Sequence, residues 1–226
     1  MRPLRIAAAL SLAAATGAGA MACAVGQGNG YVIGSIVLPA CNKDLSNYDM
    51  QANFFAGEAS GNQLEIRIQQ GGGTQEYADS LTILVHDVQG TLSKINASTD
   101  HEVTYDVQLP KLPGSEPWLP SPEVEMTLSL RGTCGQPVYS AGDQALLVLH
   151  GISGKITFAH MFNGDINTRD TNAKRIDGEF LGAGVRLVDP REGDASVPDS
   201  QRTQYGNITG KFSFFYQRGG PAQSFP

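Results

Sequence analysis

Cysteine, tryptophan, histidine and basic charge are all scarce in this chain, and each scarcity excludes something. There are three cysteines, one tryptophan and four histidines in 226 residues. No two cysteines stand in CxxC spacing, which argues against a zinc ribbon or a thioredoxin-like redox pair. None of His86, His101, His150 and His160 falls into HxH or HExxH spacing, so no zincin helix is written here. Lys and Arg number 16 against 22 Asp and Glu. An acidic chain without Lys/Arg clusters is a poor partner for nucleic acid, because phosphate neutralisation requires them. A G-x-S-x-G nucleophile elbow is also missing. Gly151–Ser153–Gly154 comes nearest, but it lacks the second glycine at the required place and lies between strands. A triad assembled from distant residues leaves no such local trace.

What is present begins at the N-terminus. Arg2 and Arg5 precede Ile6 to Ala22, a stretch of apolar and small residues without charge. That order is the basic, apolar, small-residue sequence of a secretory signal peptide, expected over 1–22. The run is too short and too dilute in large side chains for a spanning helix. Cys23 follows Ala20-Met21-Ala22 and resembles the lipobox of bacterial lipoproteins, in which the thiol is acylated and the chain is cut just before it. Leu is usual where Ala20 stands. The alternative is ordinary cleavage after Ala22, leaving Cys23 as a thiol. Residues 23–30, with Gly26, Gly28 and Gly30, read as a tether between lipid and domain. Without 1–22 the chain keeps 14 basic residues (16 less Arg2 and Arg5) against 22 acidic ones, a net charge of −8.

An odd number of cysteines in an exported protein needs a reason. If Cys23 carries lipid, Cys41 and Cys134 are left as a pair in an oxidising compartment, where a disulfide persists. A pair of metal or redox thiols is the competing reading.

Period-two alternation recurs along the chain. Leu64, Ile66 and Ile68 share one face of a strand, as do Val103, Tyr105, Val107 and Leu109, and Val124, Met126, Leu128 and Leu130. Segments 31–38, 81–88, 145–152, 154–161, 185–189 and 208–218 add further strands between Gly, Asn, Asp and Pro clusters. Roughly nine or ten strands and little helix predict an all-β domain over 31–226, a single antiparallel β-sandwich. A short helical turn is expected within 46–60. Gly34, Gly154 and Gly210 each sit inside an apolar-x-Gly-x-apolar strand pattern, the mark of a bulge or a close backbone approach. The proline-rich stretch 110–122 predicts a crossover outside any central strand.

Candidate sites are few. Trp118, in that stretch, is a contact for a partner or a sugar, or else a plug over the core edge. Asp165, Asn167 and Asp170, with Asn172, cluster oxygens in a loop as calcium requires, although Arg169 stands at a ligand position and the EF-hand glycine and glutamate are missing. A solvated turn rich in Asx residues is the alternative. A hairpin would bring His150 and His160 close enough for a metal site; two strand-end histidines facing solvent are the alternative. Glu123 and Glu125 share the exposed face of one strand, the arrangement from which paired carboxylates act on glycosides. Phe212, Phe214, Phe215 and Tyr216 read as a buried terminal strand.

The 23–30 stretch, VIGSIVLPAC, LEIRIQQGG and the terminal FYQRGGPAQSFP together resemble uncharacterised predicted lipoproteins of myxobacterium-like, Gram-negative genomes. The resemblance implies an envelope location and transfers no activity and no functional residue. Ala24, in place of the aspartate of inner-membrane retention, favours the outer membrane by analogy. The expectation is a non-enzymatic, outer-membrane-anchored module needing no cofactor. It would meet the membrane through lipid and an envelope protein or glycan through its surface, with carbohydrate or calcium binding as the alternative.

Overall fold

The computed structural model describes residues 28–71, 78–109, 122–135, 147–165, 167–189, 191 and 197–216. Eleven strands form one continuous hydrogen-bonded sheet. In chain order these are β1 (Gly28–Val37), β2 (Tyr48–Gln51), β3 (Phe54–Ser60), β4 (Gln63–Gln70), β5 (Asp79–Val85), β6 (Val103–Asp106), β7 (Val124–Leu130), β8 (Val148–Ser153), β9 (Lys155–His160), β10 (Arg175–Val188) and β11 (Tyr205–Phe215). Helix α1 (Val88–Ala97) follows β5, and a single turn, α2 (Arg131–Cys134), follows β7. The strand order is β2-β1-β11-β10-β8-β7-β5-β4-β3, with β9 also on β10 and β6 on β9. Every strand pair is antiparallel.

The all-β class holds, but the two-sheet sandwich does not. The sheet curls into a half-barrel, and its two ends are consecutive in sequence. Between β2 and β3 only Ala52 and Asn53 intervene, and the pairing runs through them. Ala52 N–H donates to Gly30 O of β1, and Asn53 N–H donates to Gln69 O of β4, both at 3.0 Å. Residues 48–60 are thus one bent strand, paired on one side in its first half and on the other side in its second. β8 and β9 are likewise halves of one bent segment. The bend is at Gly154, whose φ of +128 is open to glycine and strained for other residues. Alternation alone reports a half-buried strand, not whether the sheet folds back on itself.

The concave face is filled with side chains. Phe158, Phe162, Phe180, Phe214, Met50, Leu64, Ile66, Ile68, Leu81, Ile83, Met126 and Leu128 are fully buried in one core. Burying each is worth about 1.5–3 kcal/mol. Phe55 of β3 stacks on Phe214 of β11 with centroids 5.6 Å apart, locking one side of the curl to the other. Phe212 and Phe214 are buried as the terminal-strand reading requires, whereas Phe215, on the opposite face of the strand, is exposed and Tyr216 is half-buried. Gly34 and Gly210 mark close approaches: a Cβ on Gly34 would lie 2.1 Å from Asn207 O, and one on Gly210 would lie 2.4 Å from Tyr31 O.

Three local expectations change. The strand begins at Gly28, inside the stretch read as tether, because Gly28 and Gly30 lie against Phe214 and Phe212 with no room for a Cβ. The helical turn expected in 46–60 is β2 and β3. Conversely, 88–97 is an α-helix. Asp87 caps it by accepting from Gly90 N–H at 2.8 Å, and Val88, Thr91 and Ile95 form its buried face. Thr91 hides this helix from a hydropathy pattern. Its hydroxyl is satisfied inside by Asp87 O at 2.7 Å and the Tyr105 hydroxyl at 2.8 Å.

Candidate functional site on the outer face of the sheet

Cys41 and Cys134 are joined by a disulfide, with Cα atoms 4.9 Å apart and 93 residues between them in sequence. Beside the bond, Asp79 is buried at the start of β5 and gathers three donors. These are the Tyr48 hydroxyl at 3.2 Å, Thr133 N–H at 2.8 Å, and the Thr133 hydroxyl. Burial and the neighbouring Asp79 carboxylate push the Tyr48 hydroxyl far above its ordinary range. The cluster ties β2, β5 and α2 to the stapled end of the barrel. Its role is structural.

Two further clusters lie on the outer face. In the first, His86 follows β5 and faces Glu125 of β7, with Nε2 2.7 Å from Oε1. Gln63 Nε2 sits 3.0 Å from His86 Nδ1 and can only donate, so His86 donates from Nε2 to the carboxylate. His150 of β8 is in register with Thr127 and Val188. Its Nδ1 is buried without a hydrogen-bond partner among the described residues. Burial lowers its pKa below 6.5, against the opposing pull of Glu125 and Asp189. Asp189 is itself buried, which alone would raise its pKa. The Arg191 side chain and backbone N–H outweigh that and hold it below 3.8.

In the second cluster, Asp177 of β10 receives Arg175 Nε at 2.7 Å and lies 2.8 Å from His160 Nδ1, both through Oδ2. Its Oδ1 is buried and has no hydrogen-bond partner among the described residues. Next to it is a depression of about 120 Å³, lined by Glu102, Thr157, Asp177, Glu179 and Lys211 among others. A second depression, beside Gln89 and Phe162, measures about 20 Å³. Ligand pockets usually run to about 300–1,000 Å³, so these hollows fit a side chain or a headgroup rather than enclose a substrate.

No protein-family model, curated protein or solved structure matches this chain.

The residues singled out from sequence fare differently. The loop bearing Asp165, Asn167 and Asp170 is exposed, and its oxygens turn back on the backbone. Asp165 N–H donates to Asn163 Oδ1, Asn167 N–H to Asp165 Oδ1, and Asn172 N–H to Asp170 Oδ1, each at 2.9 Å. These are Asx turns, the alternative reading of that loop. Among the described residues no three His, Cys, Asp or Glu side chains converge as metal ligands do. His150 and His160 are not brought together: one lies opposite Val188 and the other opposite Asp177, toward the two ends of β10. The hairpin reading fails because β8 and β9 run on through Gly154 instead of turning back. Glu123 and Glu125 do share a face, but Glu123 pairs with Lys94 at 2.8 Å and Glu125 with His86. Cys23 and Trp118 lie outside the described residues.

Sequence reasoning missed His86, Asp177 and Asp79. His86 and Glu125 are 39 residues apart and meet only through β5–β7 pairing. No local spacing announces such a pair. Chemically, a histidine oriented by a carboxylate is half of an acid–base device. Among the described residues no Ser, Thr or Cys oxygen or sulfur is hydrogen-bonded to a histidine ring to complete it.

Proposed function

We propose that this chain is an exported, non-enzymatic envelope module, anchored by lipid on Cys23 and displaying its half-barrel as an interaction or structural platform. The observation that carries the reading is the Cys41–Cys134 bond. It accounts for two of the three cysteines and leaves over the one that ends the apolar N-terminal run. A disulfide closing so long a loop is suited to an oxidising compartment. Ala24 after the anchor favours the outer membrane, with an envelope protein or a glycan as the surface partner and no nucleic acid.

The test is the intact mass of protein extracted from a bacterial membrane fraction, with and without reductant. The expected mass fits residues 23–226 plus acyl groups and rises by two hydrogens on reduction. A Cys23→Ser variant should leave the membrane fraction. A soluble wild-type chain without lipid defeats the anchoring.

Calcium or carbohydrate binding is the second reading: Asp165, Asn167 and Asp170 are exposed in one loop, and an ion would have to share the Asp165 and Asp170 carboxylates with the backbone N–H groups they already accept. Its measurement is the melting temperature at millimolar calcium, where no shift removes the ion.

A further inference from the structure

The proposed anchor sits close to the fold. From Cys23 to Gly28, where β1 begins, there are five residue steps, a reach of at most about 18 Å at 3.3–3.6 Å per residue. Whatever lies at the start of β1 is therefore held against the lipid surface. Gly28 is paired with Phe214, and the adjoining rim is formed by the last residues of β11 and the first of β10, with Arg175 opposite Phe215. Phe215 is 37 % exposed there, one of the few large apolar side chains so placed. Tyr216 follows, half-buried in a stack on Phe162 with centroids 3.9 Å apart. Its N–H donates to Lys174 O at 2.7 Å, which fastens the 163–174 loop to the same rim. Lys174 and Arg169 make no ion pair with a carboxylate among the described residues. Charge does not by itself select this end, since Lys43 and Arg131, near the disulfide in sequence, also make no ion pair among the described residues. The tether selects it, and aromatic rings beside cations are what a bilayer interface accommodates.

We infer that the rim formed by Phe215, Tyr216, Lys174 and Arg175 is a membrane-resting surface, with Phe215 inserted among the lipid headgroups. The inference rests on acylation of Cys23 and adds an orientation to it. The barrel stands with β1's origin down, and the disulfide end, with Asp79 and Tyr48, points away from the membrane.

The experiment uses the full acylated chain in vesicles of phosphatidylethanolamine and phosphatidylglycerol, with bromine on shallow acyl carbons. Trp118→Phe removes the only native indole. Tryptophan is then placed singly by Phe215→Trp at the rim, or by Val37→Trp at the far end of β1, where Val37 is comparably exposed. The expected result is loss of most emission from position 215 and none from position 37. A mass without acyl groups overturns the anchoring and this surface together. Three results on acylated protein overturn the surface alone: equal emission at both positions, quenching at 37 instead, or a blue-shifted but unquenched signal at 215, which means the chain itself covers the rim.

Discussion

The two ends of the barrel are built on different principles. At one end a covalent bond, a buried carboxylate and its three donors knit α2, β2 and β5 together. At the other, where β1 begins, order comes from a ring stack, a backbone hydrogen bond and a series of Asx turns. The first end is held by chemistry that resists water and the second by contacts that water shares. Under the proposed anchoring, the second end is the one beside the tether, and the first has only its own chemistry to hold it.

The contrast breaks most sharply at the disulfide. The Cys41→Ala/Cys134→Ala double variant should lose roughly 4–5 kcal/mol of stability in the chain-entropy treatment of a loop this long, read from urea unfolding against the oxidised protein. Asp79→Ala comes next. It strands the Tyr48 hydroxyl and the Thr133 N–H in the interior, at about 1–3 kcal/mol for each stranded donor. Tyr48→Phe removes donor and bond together and should cost only about 1 kcal/mol. If the two variants cost the same, the carboxylate is not the organiser of that end.

A smaller effect sharpens the comparison through pH. Folded His150 takes up a proton less readily than the unfolded chain, whose histidine titrates near its ordinary 6.5. Its contribution is therefore complete above pH 6.5 and declines as the pH falls below that value toward the lowered folded pKa. The melting temperature of the native protein should fall over this interval, and that of His150→Gln should fall less. Parallel curves would show that His150 takes up its proton equally in the folded and unfolded chain, and that burial does not hold it neutral. The smallest effect belongs to the soft end: Asp165→Ala and Asp170→Ala should leave the unfolding midpoint within error. A clear loss, or a calcium-dependent rise in the native protein that these variants abolish, would make that loop a site rather than a series of turns.

How much was legible in the sequence follows the same physics. QLEIRIQQ over 63–70 coincides with β4, because one face is apolar and the other polar. The first half of β10 was silent. Its inward residues are Ile176, Gly178 and Phe180, and Gly178 has given its space to the Phe212 ring, so hydropathy shows no alternation there. Helix α1 was hidden by an inward threonine. The disulfide could be deduced by counting. The His86–Glu125 and Asp177 clusters could not, since strand pairing brings them together and strand pairing has no local spelling. Arg67 teaches the same lesson. It sits on the outward register of β4 yet is 3 % exposed beside Glu65, so outward does not mean wet.

The bent strand over residues 48–60 has one more consequence. An open sheet presents a row of unused N–H and C=O groups at each flank, and neighbouring molecules can extend it strand by strand. Here the two flanks of the principal strand path end on the same short stretch of chain. At the bend Ala52 N–H donates to β1 and Asn53 N–H to β4, and the short β6 has α1 beside it, with Thr91 bonded to Tyr105. Prying residues 48–60 away would uncover β1 and β4 together and open both to strand addition.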